Sequence, residues 1–240
     1  MTEEKVRFGK PEGKEGEALL DQMDKHHTPV SLWAIEHMNI GEDDVILDIG
    51  CGSGLNIKRL HQKSPKAKTY GVDYSSTSVK KSKKLNNHLV QKGEIEVMEA
   101  NVQDMPFEDD TFDVVTAFET VYFWPTIVES FKEVKRVLKP NGKFCAVLDA
   151  NGIYAPEIEK VAREEGCNFY TDEELIELLK QAEYSRITVY NRKRKENKKL
   201  IKTVTAEGYD ERLIDDNYDE GDIAEVEPVT PEWLCVISEK

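Results

Sequence analysis

The segment Val45-Ile-Leu-Asp-Ile-Gly-Cys-Gly-Ser-Gly54 sets a short apolar run directly against three glycines. An apolar run of that length, closed by glycine, reads as a buried strand. Gly50, Gly52 and Gly54 allow a sharp backbone turn and leave room for a ligand against the main chain, with the amides of the next helix facing it. Dinucleotide, mononucleotide and adenosyl ligands all use variants of this turn, so the neighbouring residues have to narrow the choice. Asp48, two residues before Gly50, brings a carboxylate close to the loop; it works against a pyrophosphate and suits a cation. The third glycine also comes one residue too early for Gly-x-Gly-x-x-Gly.

From this loop onward, short apolar runs alternate with amphipathic segments, the pattern of βαβ units in a parallel sheet. The runs are Val45 to Ile49, Thr69 to Val72, Ile95 to Met98, Phe112 to Ala117 and Lys143 to Leu148. Helices are predicted from Leu55 to Gln62, Ser75 to Gln91 and Thr126 to Leu138, the last stopped by Lys139-Pro-Asn-Gly142. Ahead of the first strand, residues 1–16 read as a polar arm and 17–41 as helices. A second helical start is marked by Thr28 as N-cap and Pro29 at the first helical position. That helix is predicted to bury Val30, Trp33, Ala34, Ile35 and Met38 and to stop at Gly41. Later, the capping box Thr171-Asp-Glu-Glu174 opens another helix. Strand signals at Arg186 to Asn191 and Trp233 to Ser238 flank an acidic insertion at about 203–231, longer than any ordinary hairpin loop and read as a lid or a disordered segment.

A chain of 240 residues suits one α/β domain. Its net charge of -14 repels polyanions. The run Arg192-Lys-Arg-Lys195 with Lys198, Lys199 and Lys202 is read as an exposed edge strand guarded by lysines, in preference to a nucleic-acid contact. Cys51, Cys145, Cys167 and Cys235 are widely spaced, with no Cys-x-x-Cys pair; reduced thiols and no metal are expected. With no basic leader before an apolar run and no stretch of about 20 apolar residues, a soluble cytoplasmic protein without membrane contact is expected. Asp73, closing Tyr70-Gly-Val-Asp73, follows the glycines by about the 20 residues at which an acid reaches a ribose diol; the alternative is a helix N-cap ahead of Ser75 and Ser76.

These residues resemble the class I, Rossmann-like S-adenosylmethionine-dependent methyltransferases, in particular the small-molecule type, strongly from Val45 to Leu148 and loosely beyond. The resemblance implies a three-layer αβα sandwich around a mostly parallel seven-stranded sheet, order 3-2-1-4-5-7-6, whose antiparallel seventh strand is supplied by Trp233-Leu-Cys-Val-Ile237. It implies one methyltransferase domain over 1–240. The N-terminal helices (17–41) cover the acceptor site, 42–150 forms the cofactor-binding core, and 151–240 carries the C-terminal strands. Asp48, Gly50, Cys51, Gly52 and Gly54 would hold S-adenosylmethionine, with Asp73 and Tyr74 at the ribose. Asn101-Val-Gln-Asp-Met-Pro-Phe107 resembles the adenine-binding turn, with Asn101 where the family usually has an acid; its amide oxygen can still accept from the adenine amino group while the Val102 amide donates. Phe118 and Glu119 would stand beside the sulfonium.

Methyl transfer from a sulfonium demands positioning above all, and a general base only when the nucleophile arrives protonated. Tyr122 and Trp124 are candidate acceptor contacts or plain core, and His27 is a candidate base and acceptor contact or a surface residue. Glu119 either meets a cation or is a solvated loop acid. No Pro-Cys nucleophile and no Asn/Asp-Pro-Pro-aromatic turn is present, which disfavours DNA bases. The expected partner is a small-molecule acceptor and the product S-adenosylhomocysteine, from a monomer or homodimer. Competing readings are a non-catalytic S-adenosylmethionine-binding regulator, a protein methyltransferase, and an NAD-dependent oxidoreductase, the last opposed by Asp48 and the glycine spacing.

Overall fold

A computed structural model describes residues 8–150, 152, 162, 166–193, 198–205, 208–215 and 232–240. Five parallel strands form its centre: β1 (Ile46–Ile49), β2 (Thr69–Asp73), β3 (Ile95–Glu99), β4 (Phe112–Phe118) and β5 (Leu138–Leu148). Then come β6 (Arg186–Lys193), β7 (Lys198–Thr205), β8 (Gly208–Asp215) and β9 (Trp233–Glu239). The order across the sheet is β3-β2-β1-β4-β5-β9-β6-β7-β8, with β9 antiparallel to both β5 and β6. The expected order is present, β9 taking the seventh-strand place, and the sheet is longer by the antiparallel hairpin β7–β8.

That hairpin uses chain assigned from sequence to the acidic insertion: 203–205 and 208–215 are strand, and the remainder, 216–231, lies outside the described residues. It also corrects the edge-strand reading. β6 is paired on both sides and β7 lies inside the sheet, so the edge is the acidic strand β8. Arg194 and Lys195 lie outside the described residues.

Side-chain alternation along the central strands divides the core between two faces. Leu47, Ile49, Val115 and Ala117 pack with α5 (Ile127–Val137) and α6 (Asp172–Gln181). Ile46, Val114 and Phe118 pack instead with Val30, Trp33 and Ala34 of α1 (Gly13–His37) and Leu60 of α2 (Leu55–Lys63). The result is helices on both sides of one sheet. The capping box of α6 is present, Thr171 accepting from the Glu174 amide at 3.1 Å and Glu174 from the Thr171 amide at 2.8 Å.

α1 begins at Gly13, inside the segment read as an arm, and ends at His37, ahead of Gly41. Lys139-Pro-Asn-Gly142, read as a helix stop, lies within β5. Two further helix readings differ from expectation. α1 is a single helix running through Pro29, so Thr28 is no N-cap; its hydroxyl donates to the Asp24 carbonyl at 2.5 Å. An interior proline costs about 3 kcal/mol, which is outweighed by the fully buried face of Val30, Trp33, Ala34, Ile35 and Met38. The segment predicted as one helix from Ser75 to Gln91 divides into α3 (Ser76–Leu85) and α4 (Asn87–Gln91). The break is at Asn86, whose side-chain amide donates to the Gly54 carbonyl at 3.0 Å and to the Ser82 carbonyl at 3.1 Å. A polar side chain tied to the glycine loop here overrides helix continuation. Among the described residues no helix is long and apolar enough to cross a membrane.

Candidate cofactor and acceptor site

At the carboxyl ends of β1, β2 and β4, beneath α1, lies a cavity of about 370 Å³. Its floor begins with the glycine loop. The Gly50 and Cys51 amides both donate to the Val72 carbonyl, at 2.8 and 3.0 Å, folding the loop against the end of β2. Gly50 and Gly54 have φ of 69° and 82°. A Cβ at Gly50 would meet Thr120 Cγ2 at 2.4 Å, and one at Gly54 would meet Ser82 Oγ at 2.1 Å. Both positions therefore need glycine for conformation and for space.

Asp73 joins the loop to the next turn: Oδ2 accepts from the Gly52 amide at 2.9 Å and Oδ1 from the Ser75 amide at 2.8 Å. Ser75 itself caps α3, its hydroxyl accepting from the Ser78 amide, so Asp73 is no cap. The carboxylate lines the cavity. Burial holds the Asp73 carboxyl above the usual range, the two amides opposing this.

Asp48 shares its sheet face with Thr116, whose hydroxyl donates to Asp48 Oδ1 at 2.8 Å. Burial pushes the Asp48 carboxyl up to about 7, and the nearby Asp73 charge adds to the rise. A buried carboxyl with one hydrogen-bond donor and no cationic partner invites a cationic ligand. Cys51 lines the cavity, but its thiol is buried and pushed well up by that burial, so it is no nucleophile. All four cysteines are free and buried.

Tyr74, half exposed, Asn101 and Val102 form one end of the wall. Asn101 Oδ1 accepts from the Gln103 amide at 3.1 Å, which fixes its side chain in the turn. The opposite end holds Phe118, Glu119, Phe123 and Trp124. Glu119 sits in a left-handed conformation, φ 57°, at the end of β4. Its Oε2 accepts from the Tyr122 hydroxyl at 2.5 Å, while Oε1 is buried without a hydrogen-bond partner. Burial holds the Glu119 carboxyl well above the usual range, and the neighbouring Asp149 charge reinforces it. Tyr122 packs against Phe169 and meets the cavity-lining Glu119 through its hydroxyl. Trp124 lines the cavity while stacking on Phe144.

The roof is α1. Met23, Asp24, His27, Thr28 and Ser31 face the cavity from above. Ser53 donates to Asp24 at 2.7 Å, Arg59 to Thr28 at 2.8 Å, and Asn56 to Ser31 at 3.2 Å. Sequence reading missed this row because its partners are some 25 to 31 positions apart and belong to no motif. His27 is on the wall, and burial pushes its imidazole down to about 4, so it is neutral near pH 7 and able to accept a proton. With Asp24, Asp48, Asp73 and Glu119 against Arg59, the wall is predominantly acidic. A glycine-looped α/β fold with such a wall defines a nucleotide-type ligand site suited to a cation and hostile to a pyrophosphate.

The methyltransferase-domain family profile matches residues 47–146. A putative methyltransferase of Bacillus subtilis, YrhH, is 34% identical over 122 residues, covering 49% of this chain and 67% of that protein. The 2-phytyl-1,4-naphtoquinone methyltransferase of Trichormus variabilis is 36% identical over 117 residues, covering 48% and 51%; the chain spans about half the length of that relative. Among solved structures, the complex between the Haloferax volcanii Trm112 methyltransferase activator and the putative methyltransferase superposes with a TM-score of 0.68 at 17% identity, over 92% and 93% of the two chains. The chain belongs to the class I S-adenosylmethionine-dependent methyltransferase family.

Proposed function

We propose that this chain transfers the methyl group of S-adenosylmethionine to a small-molecule acceptor by in-line displacement, in the cytoplasm. The observation that carries the reading is the pairing of a glycine cradle, which a Cβ would fill, with two buried carboxylates, Asp48 and Asp73, on one cavity wall. These residues fit the cofactor: Asp73 would accept from the ribose hydroxyls, Val102 and Asn101 would meet the adenine edge, Tyr74 would lie at the ribose, and Asp48 would balance the ammonium. When bound, the cofactor supplies a methyl group already activated on a sulfonium that departs as a neutral thioether. Phe118 and Glu119 would stand beside that reacting end, with Phe123 and Trp124 excluding water.

A small, partly apolar acceptor is supported by the aromatic and aliphatic end of the cavity, with Phe8, Met23 and Phe123, and by the quinone methyltransferase among the relatives. The test is conversion of labelled S-adenosylmethionine to S-adenosylhomocysteine in the presence of a metabolite mixture. Time-dependent conversion is expected. Tight S-adenosylhomocysteine binding without turnover on any mixture would favour the non-catalytic alternative, and tight NAD binding with no S-adenosylhomocysteine signal would overturn both.

A further inference from the structure

At the far end of the roof, His26, His27 and Asp149 converge. His26 Nε2 lies 3.1 Å and His27 Nε2 3.8 Å from Asp149 Oδ2, and one donor atom from each residue lies within 4.8 Å of the others. The histidines are neighbours on α1, their rings 5.0 Å apart and crossed at 71°, so that both turn a nitrogen to the same carboxylate. Asp149 follows the last residue of β5. We propose that these three residues bind one first-row divalent ion of the zinc, cobalt or nickel type, and that the ion ties α1 to the end of β5 over the cavity.

The spacing supports it. Donors bound at about 2.1 Å from one ion stand about 3.0 Å apart in an octahedron and about 3.4 Å apart in a tetrahedron. The His26-to-Asp149 separation of 3.1 Å falls between those values, and that of His27, 3.8 Å, exceeds the tetrahedral one by a few tenths of an ångström, within reach of a ring rotation. Two imidazole nitrogens and one carboxylate favour borderline transition metals over magnesium or calcium, which prefer oxygen. A plain ion pair explains the arrangement less well. The His26 side chain is 59% exposed, where such a pair is worth little. Three protein donors also leave at least one coordination position open beside a cavity that His27 lines. Positions 26, 27 and 149 match no ligand-spacing motif, which is why the sequence alone predicts no metal.

The test needs neither cofactor nor acceptor. Cobalt(II) titration of the full chain, freed of metal, is expected to show one site with a visible spectrum of nitrogen and oxygen ligation, displaced by zinc. Zinc is expected to raise the melting temperature. Asp149→Asn and His26→Ala, the latter at an exposed position that leaves folding intact, are each expected to weaken binding by a hundredfold or more and to remove the zinc-dependent shift. His88→Ala serves as the control and leaves both unchanged. Absence of the cobalt spectrum in the wild type, or binding that survives His26→Ala and Asp149→Asn alike, overturns the proposal.

Discussion

The floor and the roof of the cavity are held by different means. The floor is fixed largely by main-chain amides: those of Gly50 and Cys51 donate to the Val72 carbonyl, and those of Gly52 and Ser75 to the Asp73 carboxylate. The roof touches the floor through side chains alone at Asp24 with Ser53, Thr28 with Arg59 and Ser31 with Asn56. Backbone bonds within a buried sheet end cannot be exchanged singly for water, whereas side-chain bonds at a part-buried rim can. The floor is thus a preformed binding surface. The roof is joined to the floor by bonds that open more readily, and the comparison can be broken by showing that the two respond alike to substitution.

The largest effect is expected at Gly54. An alanine there must take up φ 82° and place its Cβ 2.1 Å from Ser82 Oγ and 2.7 Å from Asn86 Nδ2. Calorimetry with S-adenosylhomocysteine should show affinity lower by about a hundredfold, and melting should show about 1–3 kcal/mol of lost stability. Affinity within threefold of the wild type would remove the basis for a rigid floor. Next comes Asp73→Ala, which strands the Gly52 and Ser75 amides at about 1–3 kcal/mol each. Stability should fall by about 2–4 kcal/mol, together with cofactor affinity; loss of affinity alone would show that the carboxylate serves the ligand and not the loop.

Asp48 sharpens the floor electrostatically. Its carboxyl is raised to about 7 from 3.8, so the empty folded state binds an extra proton and loses stability as pH rises between those values. A cationic ligand reverses the preference by favouring the ionised form. Cofactor affinity should therefore rise about tenfold from pH 6 to pH 8, as ionisation goes from about one-tenth to about nine-tenths complete. Asp48→Asn should flatten the profile, and proton release on binding should be visible as a buffer-dependent enthalpy. Tyr122→Phe is expected to act at the other end. It deprives Glu119 Oε2 of its donor, so turnover should drop about threefold to tenfold with cofactor affinity unchanged; an equal drop in both would place Glu119 against the cofactor instead of the acceptor.

The same contrast governs what could be read before folding. Val45 to Gly54, Asp73 and Asn101-Val102 are contiguous or regularly spaced because each serves the end of one strand; Asp48 to Ser53, Asp73, Asn101 and Val102 line the cavity, while Gly54 stands behind it against Ser82 and Asn86. The alternating apolar runs announce the parallel βαβ units, and the strand order with its antiparallel β9 is the one the family resemblance implies. What was not legible depends on distant partners. The burial of Trp33 and Ile35 carries α1 through Pro29, Asn86 breaks a helix in order to hold Gly54, and β8 hides in a segment whose acidity reads as loop. The bond between Tyr122 and Glu119 belongs to no sequence motif.

The smallest expected effect is the one that tests the roof itself. Asp24 accepts from Ser53 at 2.7 Å, and burial holds its carboxyl above the usual range even against that bond and the Lys81 charge. Asp24→Ala therefore removes a hydrogen bond and, with it, a carboxyl group that burial disfavours in its charged form, two changes of opposite sign. The Ser53 hydroxyl, left at the cavity rim, can turn to solvent. The net loss should stay within about 0.5–1 kcal/mol, with equilibrium affinity for S-adenosylhomocysteine lowered no more than about fivefold. Dissociation should account for it: stopped-flow release should quicken while association stays constant, because the floor still presents the same surface. A variant that instead slows association, or loses affinity as fully as Gly54→Ala, would mean that α1 is part of the preformed surface and that entry requires some other element to move.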